Sequence, residues 1–229
     1  MSTPITGISS MATRQFLAVV IDRWRQAGGP AVHLESVGGV DAARRVHDGE
    51  TFDMVVLAAD AIQKLEAAGR LVADSVTGLV RSGVAIAVPR GTARPDIGTE
   101  AALRAAVLAA PSVGFSTGPS GVALQQLFER WGVAEAIRGH LVQASPGVAV
   151  GTLVASGAVA LGFQQLSELM HLEGIDVIGP MPPGLEIVTT FSGAVCAAST
   201  QPDAARRLLD YIRSPAADEA RRRHGMQPA

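Results

Sequence analysis

The chain is poor in several residues and patterns, and each scarcity removes a class of function. Cys196 is the single cysteine, so neither an internal disulfide framework nor a multi-cysteine zinc or iron–sulfur site can be built. Basic residues are not in excess, because 19 Lys+Arg stand against 21 Asp+Glu, a formal charge of −2. A nucleic-acid surface would therefore have to be local, and none is expected. No apolar run reaches the roughly 18 residues that span a bilayer; Gly, Ser or Arg interrupts the best candidates, and no membrane insertion is expected. Asparagine is absent and Lys64 is the one lysine beside 18 arginines, which points to a GC-rich genome and says nothing of function.

The common catalytic signatures are missing too. There is no His-Glu-x-x-His, no Gly-x-x-x-x-Gly-Lys-Ser/Thr, no Gly-x-Gly-x-x-Gly and no Gly-x-Ser-x-Gly. The five histidines, His33, His47, His140, His171 and His224, have no ligand spacing. No metal and no cofactor is expected. Cys196 lies in the apolar stretch 193–198 and reads as a small core residue. Arg206, Arg207 and Arg221 to Arg223 read as solvated helix faces. The first residues, Met1 to Ile8, show no positive region followed by an apolar core and a small-residue cleavage site. The expected compartment is the cytoplasm, or the periplasm where an export signal has been removed.

What is present is an alternation of short β-branched runs with longer helical patterns over 229 residues, long enough for two lobes of about 100 residues each. That alternation predicts an α/β protein with largely parallel sheets. Strands are expected at 4–8, 31–36 and 54–57. Each leads into a helix: the first carries Phe16, Val20 and Trp24 on one face and stops at Gly28-Gly29-Pro30, the second runs from Asp41 to Gly49, and the third from Asp60 to Ala68. After the apolar run Val84 to Val88 the cycle restarts, with helices at 100–108, from the Ser116–Gly121 turn through Trp131, at 147–155 and at 164–170, and strands at 112–115, 141–143 and 159–163. The chain is extended again at 185–191 and 194–198 and ends in helices at 202–212 and 215–223. The segment Gly179-Pro-Met-Pro-Pro-Gly184 reads as a linker. A linker so late in the chain fits one lobe from 1–83 plus 190–229 and a second from 84–189.

One device recurs. Ser9-Ser10, Gly38-Gly39 and Thr117-Gly118-Pro119-Ser120-Gly121 put small or hydroxyl residues where a strand gives way to a helix. Backbone N–H groups at a positive helix end bind anions; plain helix capping accounts for the same residues. Arg14, in the first turn of the first helix, opposes the helix dipole, a mild cost offset if it meets an anion.

Taken in order, Ser9-Ser10-Met11, the stretch Ala43-Arg-Arg-Val-His-Asp-Gly-Glu-Thr-Phe-Asp53 leading to Ala58-Ala-Asp60, the stretch Thr152 to Phe163, and the ending Arg207 to Ala217 resemble the molybdate-binding proteins of ABC importers and, more widely, the type II periplasmic binding proteins. The resemblance covers nearly the whole chain. It implies two α/β lobes with mixed, mostly parallel sheets, joined by crossing strands near 84–88 and 185–191 and hinged about a ligand cleft. It implies as ligand contacts Ser9, Ser10, Met11 and Arg14; Gly38, Gly39 and Val40; Thr117, Gly118, Ser120 and Gly121; Gly147 and Val148; and Gln164 and Gln165.

Two positions depart from the pattern. Val37-Gly38-Gly39-Val40 lacks the family's second-loop serine, and Gln164-Gln165 stand where the family has a tyrosine. Lost hydroxyls leave a tetrahedral oxyanion short of partners, whereas Arg14 and the glutamines suit a carboxylate. The expected function is binding of a small anion, molybdate-like or an organic carboxylate, as a non-enzymatic solute-binding protein of ABC-transporter type. An ABC permease or a separate regulatory protein is the partner this implies. An intracellular sensor of the same fold is one alternative. An isomerase or lyase acting on an organic acid, with Glu168, Asp60 or a histidine as base, is another.

Overall fold

The computed structural model describes residues 3–229, so Met1 and Ser2, counted in the expected first lobe, lie outside the described residues. The chain divides into two compact units, one made of residues up to Ser82 with Thr189–Ala229 and the other of Gly83–Val188.

Unit one begins with three strand–helix repeats: β1 (Ile5–Ser10), α1 (Arg14–Gln26), β2 (Val32–Val37), α2 (Gly39–His47), β3 (Met54–Ala58) and α3 (Ala59–Ala67). β1 pairs in parallel with both β2 and β3, so the strand-to-helix turns of β1, β2 and β3 fall on one edge of the sheet. The chain then enters β4 (Thr77–Pro89), whose residues from Gly83 onward belong to unit two.

Unit two continues with α4 (Glu100–Ala109), β5 (Val113–Phe115), α5 (Pro119–Arg130), α6 (Ala134–Ile137), β6 (Leu141–Gln143), α7 (Val150–Ala155), β7 (Leu161–Gln165), α8 (Leu166–Leu169) and β8 (Ile175–Pro180). β5 is parallel to β6 and β7, while β4 pairs antiparallel with β7 and β8. The chain returns to unit one in β9 (Val188–Val195), which runs antiparallel to β3, and ends with α9 (Pro202–Arg213), α10 (Asp218–Arg223) and β10 (Met226–Pro228). β10 pairs antiparallel with the first part of β4. The sheets are mixed.

Each sheet is apolar on both faces because helices cover both. Along β3 the alternation is explicit. Met54, Val56 and Ala58 pack with Phe16, Leu17 and Val20 of α1 and Leu208, Leu209 and Ile212 of α9, whereas Val55 and Leu57 pack with Val46 of α2 and Ile62 and Leu65 of α3. In unit two, Val84, Ile86 and Val88 of β4 face α4 and α5, and Ala85 and Ala87 face Val150 and Val154 of α7.

α7 lies close to its sheet. A Cβ on Gly162 would come 2.4 Å from Val154 Cγ2, and one on Gly114 would come 3.0 Å from Val150 Cγ1. Glycine is the residue that permits this approach.

Several expectations are corrected. β1 extends two residues beyond Ile8 and takes in Ser9 and Ser10, because their backbones continue the ladder opposite Ser36 and Val37. α2 starts at Gly39 rather than Asp41, and α7 at Val150 rather than Gly147, whose φ of +80° breaks the helical path. Gln164 and Gln165 end β7, so the helix expected from 164 shrinks to α8. The expected linker at 179–184 is not loose. Gly179 and Pro180 belong to β8, Met181 is buried, and its N–H donates to the Val84 carbonyl at 3.3 Å. Arg221 is not solvated: at 2% exposed, it donates to the carbonyls of Ile212 (2.7 Å) and Ser214 (3.2 Å) at the end of α9 and pairs with Asp218. It thereby satisfies carbonyls that the helix end leaves open.

Candidate anion-binding site

In unit one the candidate residues gather where β1 and β2 meet α2. Ser9 is fully buried, and its hydroxyl is shared with Ser36 of β2 at 2.8 Å, as the parallel register of the two residues dictates. Ser36 escaped the sequence reading because only the strand pairing makes it a neighbour. Ser10 is 7% exposed, and its Oγ has no hydrogen-bond partner. Its carbonyl accepts the Thr13 hydroxyl at 3.1 Å, which fixes the turn that leads through Met11 into α1. A buried hydroxyl without a partner costs free energy unless something arrives to bond it.

Beside Ser10 stands the start of α2. Its N-cap is Gly38, with no side chain to accept from the first-turn amides. Ala42 N–H donates to the Gly38 carbonyl at 2.9 Å, so the amides of Gly39, Val40 and Asp41 are the ones that the helix itself leaves without acceptors. The Asp41 carboxylate in that turn is engaged by Arg44 at 2.5 Å. Val40 is 58% exposed. Arg14, the first residue of α1, is exposed.

In unit two the loop after β5 leads into α5, whose N-cap Gly118 again offers no side-chain cap. The Ser116 and Ser120 hydroxyls lie 3.3 Å apart, and Ser120 is buried. Gly121 and Val122 N–H both donate to the Gly118 carbonyl, at 2.9 and 3.2 Å. Gly121 could be no other residue, since a Cβ there would come 1.9 Å from the Ser116 carbonyl oxygen. Thr117 stays in the loop before the cap. Val148 N–H donates to the Ser145 carbonyl at 2.9 Å, so the amide expected there as an open donor is occupied by its own turn.

Capping therefore does not explain these hydroxyls. α4 shows what a capped start looks like, with Thr99 Oγ1 accepting from Ala102 N–H at 3.2 Å. Neither Ser10 nor Ser120 makes such a bond to a helix amide.

The two glutamines divide in role. Gln164 Oε1 accepts from Gly151 N–H in α7 at 3.0 Å, and its Nε2 donates to Glu168 Oε1 at 2.8 Å. Burial pushes the Glu168 carboxyl up to about 7, partly countered by that bond. Gln165, 4% exposed, is the N-cap of α8. Of the other bases considered, Asp60 is exposed at the start of α3. Among the described residues no group of three or more His, Cys, Asp or Glu is placed to hold a metal ion, and no helix is long and apolar enough to cross a membrane. Burial, with Asp53 nearby, pushes the Cys196 thiol up to about 12, which makes it a poor nucleophile.

Two α/β units connected through β4 and β9, each presenting an uncapped helix start beside serine hydroxyls, describe a two-lobe binding protein of the type II periplasmic class. The chain belongs to the bacterial extracellular solute-binding protein family, which it matches over residues 5–227. A curated relative, an aconitate isomerase from Pseudomonas sp., is 34% identical over 234 residues, covering 99% of this chain and 88% of the relative. Among solved structures, the periplasmic molybdate-binding protein of Azotobacter vinelandii matches with a TM-score of 0.80 at 16% identity, over 97% of this chain and 98% of that one. A sulfate-binding protein of Mycobacterium tuberculosis matches with a TM-score of 0.81 at 18% identity, over 100% of this chain and 88% of that one. At such identities the structural matches speak for the fold.

Proposed function

We propose that this chain binds a small organic acid with two or more carboxylates, of the class to which aconitate belongs. The observation that carries the reading is the unpartnered, buried Ser10 hydroxyl beside the side-chain-free start of α2. A hydroxyl and a row of helix amides together supply donors for the two oxygens of one carboxylate. Arg14, exposed at the start of α1 in the same unit, offers a further donor for a second carboxylate. The 34% identity to an aconitate isomerase across almost the whole chain supports an organic acid over molybdate or sulfate.

A second reading adds turnover to binding. Isomerising an unsaturated acid moves one proton from one carbon to another and shifts the double bond, with no net change in atoms or electrons. The step needs a single group able to take and return a proton near neutral pH. Glu168, raised to about 7 and oriented by Gln164, has that property. Delivery of the bound acid to an ABC permease or to a separate regulatory protein, and the cytoplasmic or periplasmic setting of that step, belong to the non-catalytic version of the same proposal.

The test is a calorimetric titration of the purified protein with cis-aconitate, trans-aconitate, citrate, molybdate and sulfate, followed by proton NMR of either aconitate incubated with it. Heat from the organic acids and none from the oxyanions is the expected result. Interconversion of the two aconitates that is lost in Glu168→Gln establishes turnover; binding without interconversion leaves a carrier or sensor. Binding of molybdate or sulfate alone overturns the proposal.

A further inference from the structure

We infer that Gly39 determines which anion unit one accepts, admitting a carboxylate with a carbon skeleton behind it where a side chain would favour a compact oxyanion. The inference rests on the organic-acid reading above and names the residue responsible for it. Gly39 is the first residue of α2, and nothing in its backbone calls for glycine. The N-cap Gly38 has φ −55° and ψ 134°, which any residue adopts, and Gly39 is not among the residues with positive φ.

Packing does not call for glycine either. A Cβ on Gly39 would meet one neighbour within 4 Å, the Ser10 Cβ at 3.6 Å, an ordinary van der Waals contact. Gly121, at 1.9 Å from a carbonyl oxygen, shows what a packing requirement looks like in the same chain. Glycine in a helix is otherwise a cost, because it orders a freer backbone than alanine would. Its use must then lie in front of the helix.

Cβ bonds in a helix tilt toward its N-terminus. A side chain at 39 would thus stand beside Ser10, in the space before the amides of Gly39 and Val40. Ser10, whose Cβ lies 3.6 Å from that added atom, carries the buried hydroxyl that has no partner. A carboxylate oxygen placed there serves the hydroxyl while the other serves the amides, and the exposed Val40 side chain is an apolar neighbour for the skeleton that follows. The Asp41 carboxylate in the same turn is held by Arg44. A hydroxyl added at 39 would itself reach Ser10 and fill the space, leaving room for a small tetrahedral anion.

The experiment compares the full chain with Gly39→Ala and Gly39→Ser by thermal melts without ligand and by calorimetric titration with trans-aconitate, cis-aconitate, citrate and molybdate. Expected are variants that melt no lower than the wild type, bind the organic acids at least tenfold more weakly and, in Gly39→Ser, take up molybdate more tightly than the wild type does. Organic-acid affinity unchanged in Gly39→Ala overturns this inference while the organic-acid reading stands. A Gly39→Ala protein that melts well below the wild type also overturns it, since the glycine would then be structural. A wild type that binds molybdate and none of the acids overturns the organic-acid reading and this inference with it.

Discussion

Gln164 ties Glu168 to α7: its amide nitrogen donates to Glu168 Oε1 at 2.8 Å while its amide oxygen holds Gly151 N–H at 3.0 Å. The carboxyl so held sits at about 7, raised from 4.5 chiefly by burial. Between those two values the folded protein keeps a proton that the unfolded chain has released. Stability therefore falls as pH rises through that window and levels off above it. Glu168→Gln is expected to flatten this dependence and to raise stability at pH 8 by about 1 to 3 kcal/mol, the upper figure being the full shift. Thermal melts of both proteins at pH 5 and pH 8 check it, and equal pH slopes in the two would count against the assignment.

Asp53 has the opposite sign. Burial alone would raise its carboxyl, but the Thr6 amide (2.8 Å) and hydroxyl (3.0 Å) and the Ser199 hydroxyl (2.7 Å) hold it below 3.8. These bonds tie β1 and the start of β3 to the segment before α9. Their contribution is present above about pH 4 and is lost as pH falls through the lowered value. Asp53→Ala is expected to cost about 2 to 4 kcal/mol at pH 7, having stripped several half-buried donors of a charged acceptor. Urea unfolding at pH 7 and pH 3 should show the difference between the proteins shrinking at the lower pH.

Gly162 is a packing glycine. With Val154 Cγ2 at 2.4 Å from any added Cβ, Gly162→Ala must push α7 off the sheet, at an expected cost of about 1 to 3 kcal/mol. Chemical denaturation measures this directly. A variant as stable as the wild type would show that α7 can shift freely.

Ser10→Ala and Arg14→Ala probe the proposed contacts of unit one outside α2. Each is expected to weaken organic-acid binding by about 1 to 3 kcal/mol, as for a lost hydrogen bond to a charged group, with little change in melting temperature. Titration calorimetry decides it, and unchanged affinity in both would move the site elsewhere.

The helices were legible from the sequence where an apolar face ends at a glycine, as α1 does at Gly28 and α3 at Gly69. β8 and β10 were not, because their pairing partner is β4, 86 or more positions away in every register pair. The strand-end serines and the glycine pair at 38–39 were visible as turn residues. That Ser9 spends its hydroxyl on Ser36 while Ser10 keeps one free was not visible, since adjacent residues in a strand point to opposite faces and the face each meets depends on the neighbouring strand.

The sequence by itself thus determined an α/β chain of repeated strand–turn–helix units, without disulfides or a basic surface, with small and hydroxyl residues at its strand-to-helix turns. Periodicity and turn chemistry are local, and local order carries them. Which hydroxyl is left without a partner, which glycine is forced by packing and which is free, and which carboxyl holds its proton to neutral pH were decided by tertiary structure. Each depends on burial and on atoms brought together from distant positions, and no spacing in the chain encodes it.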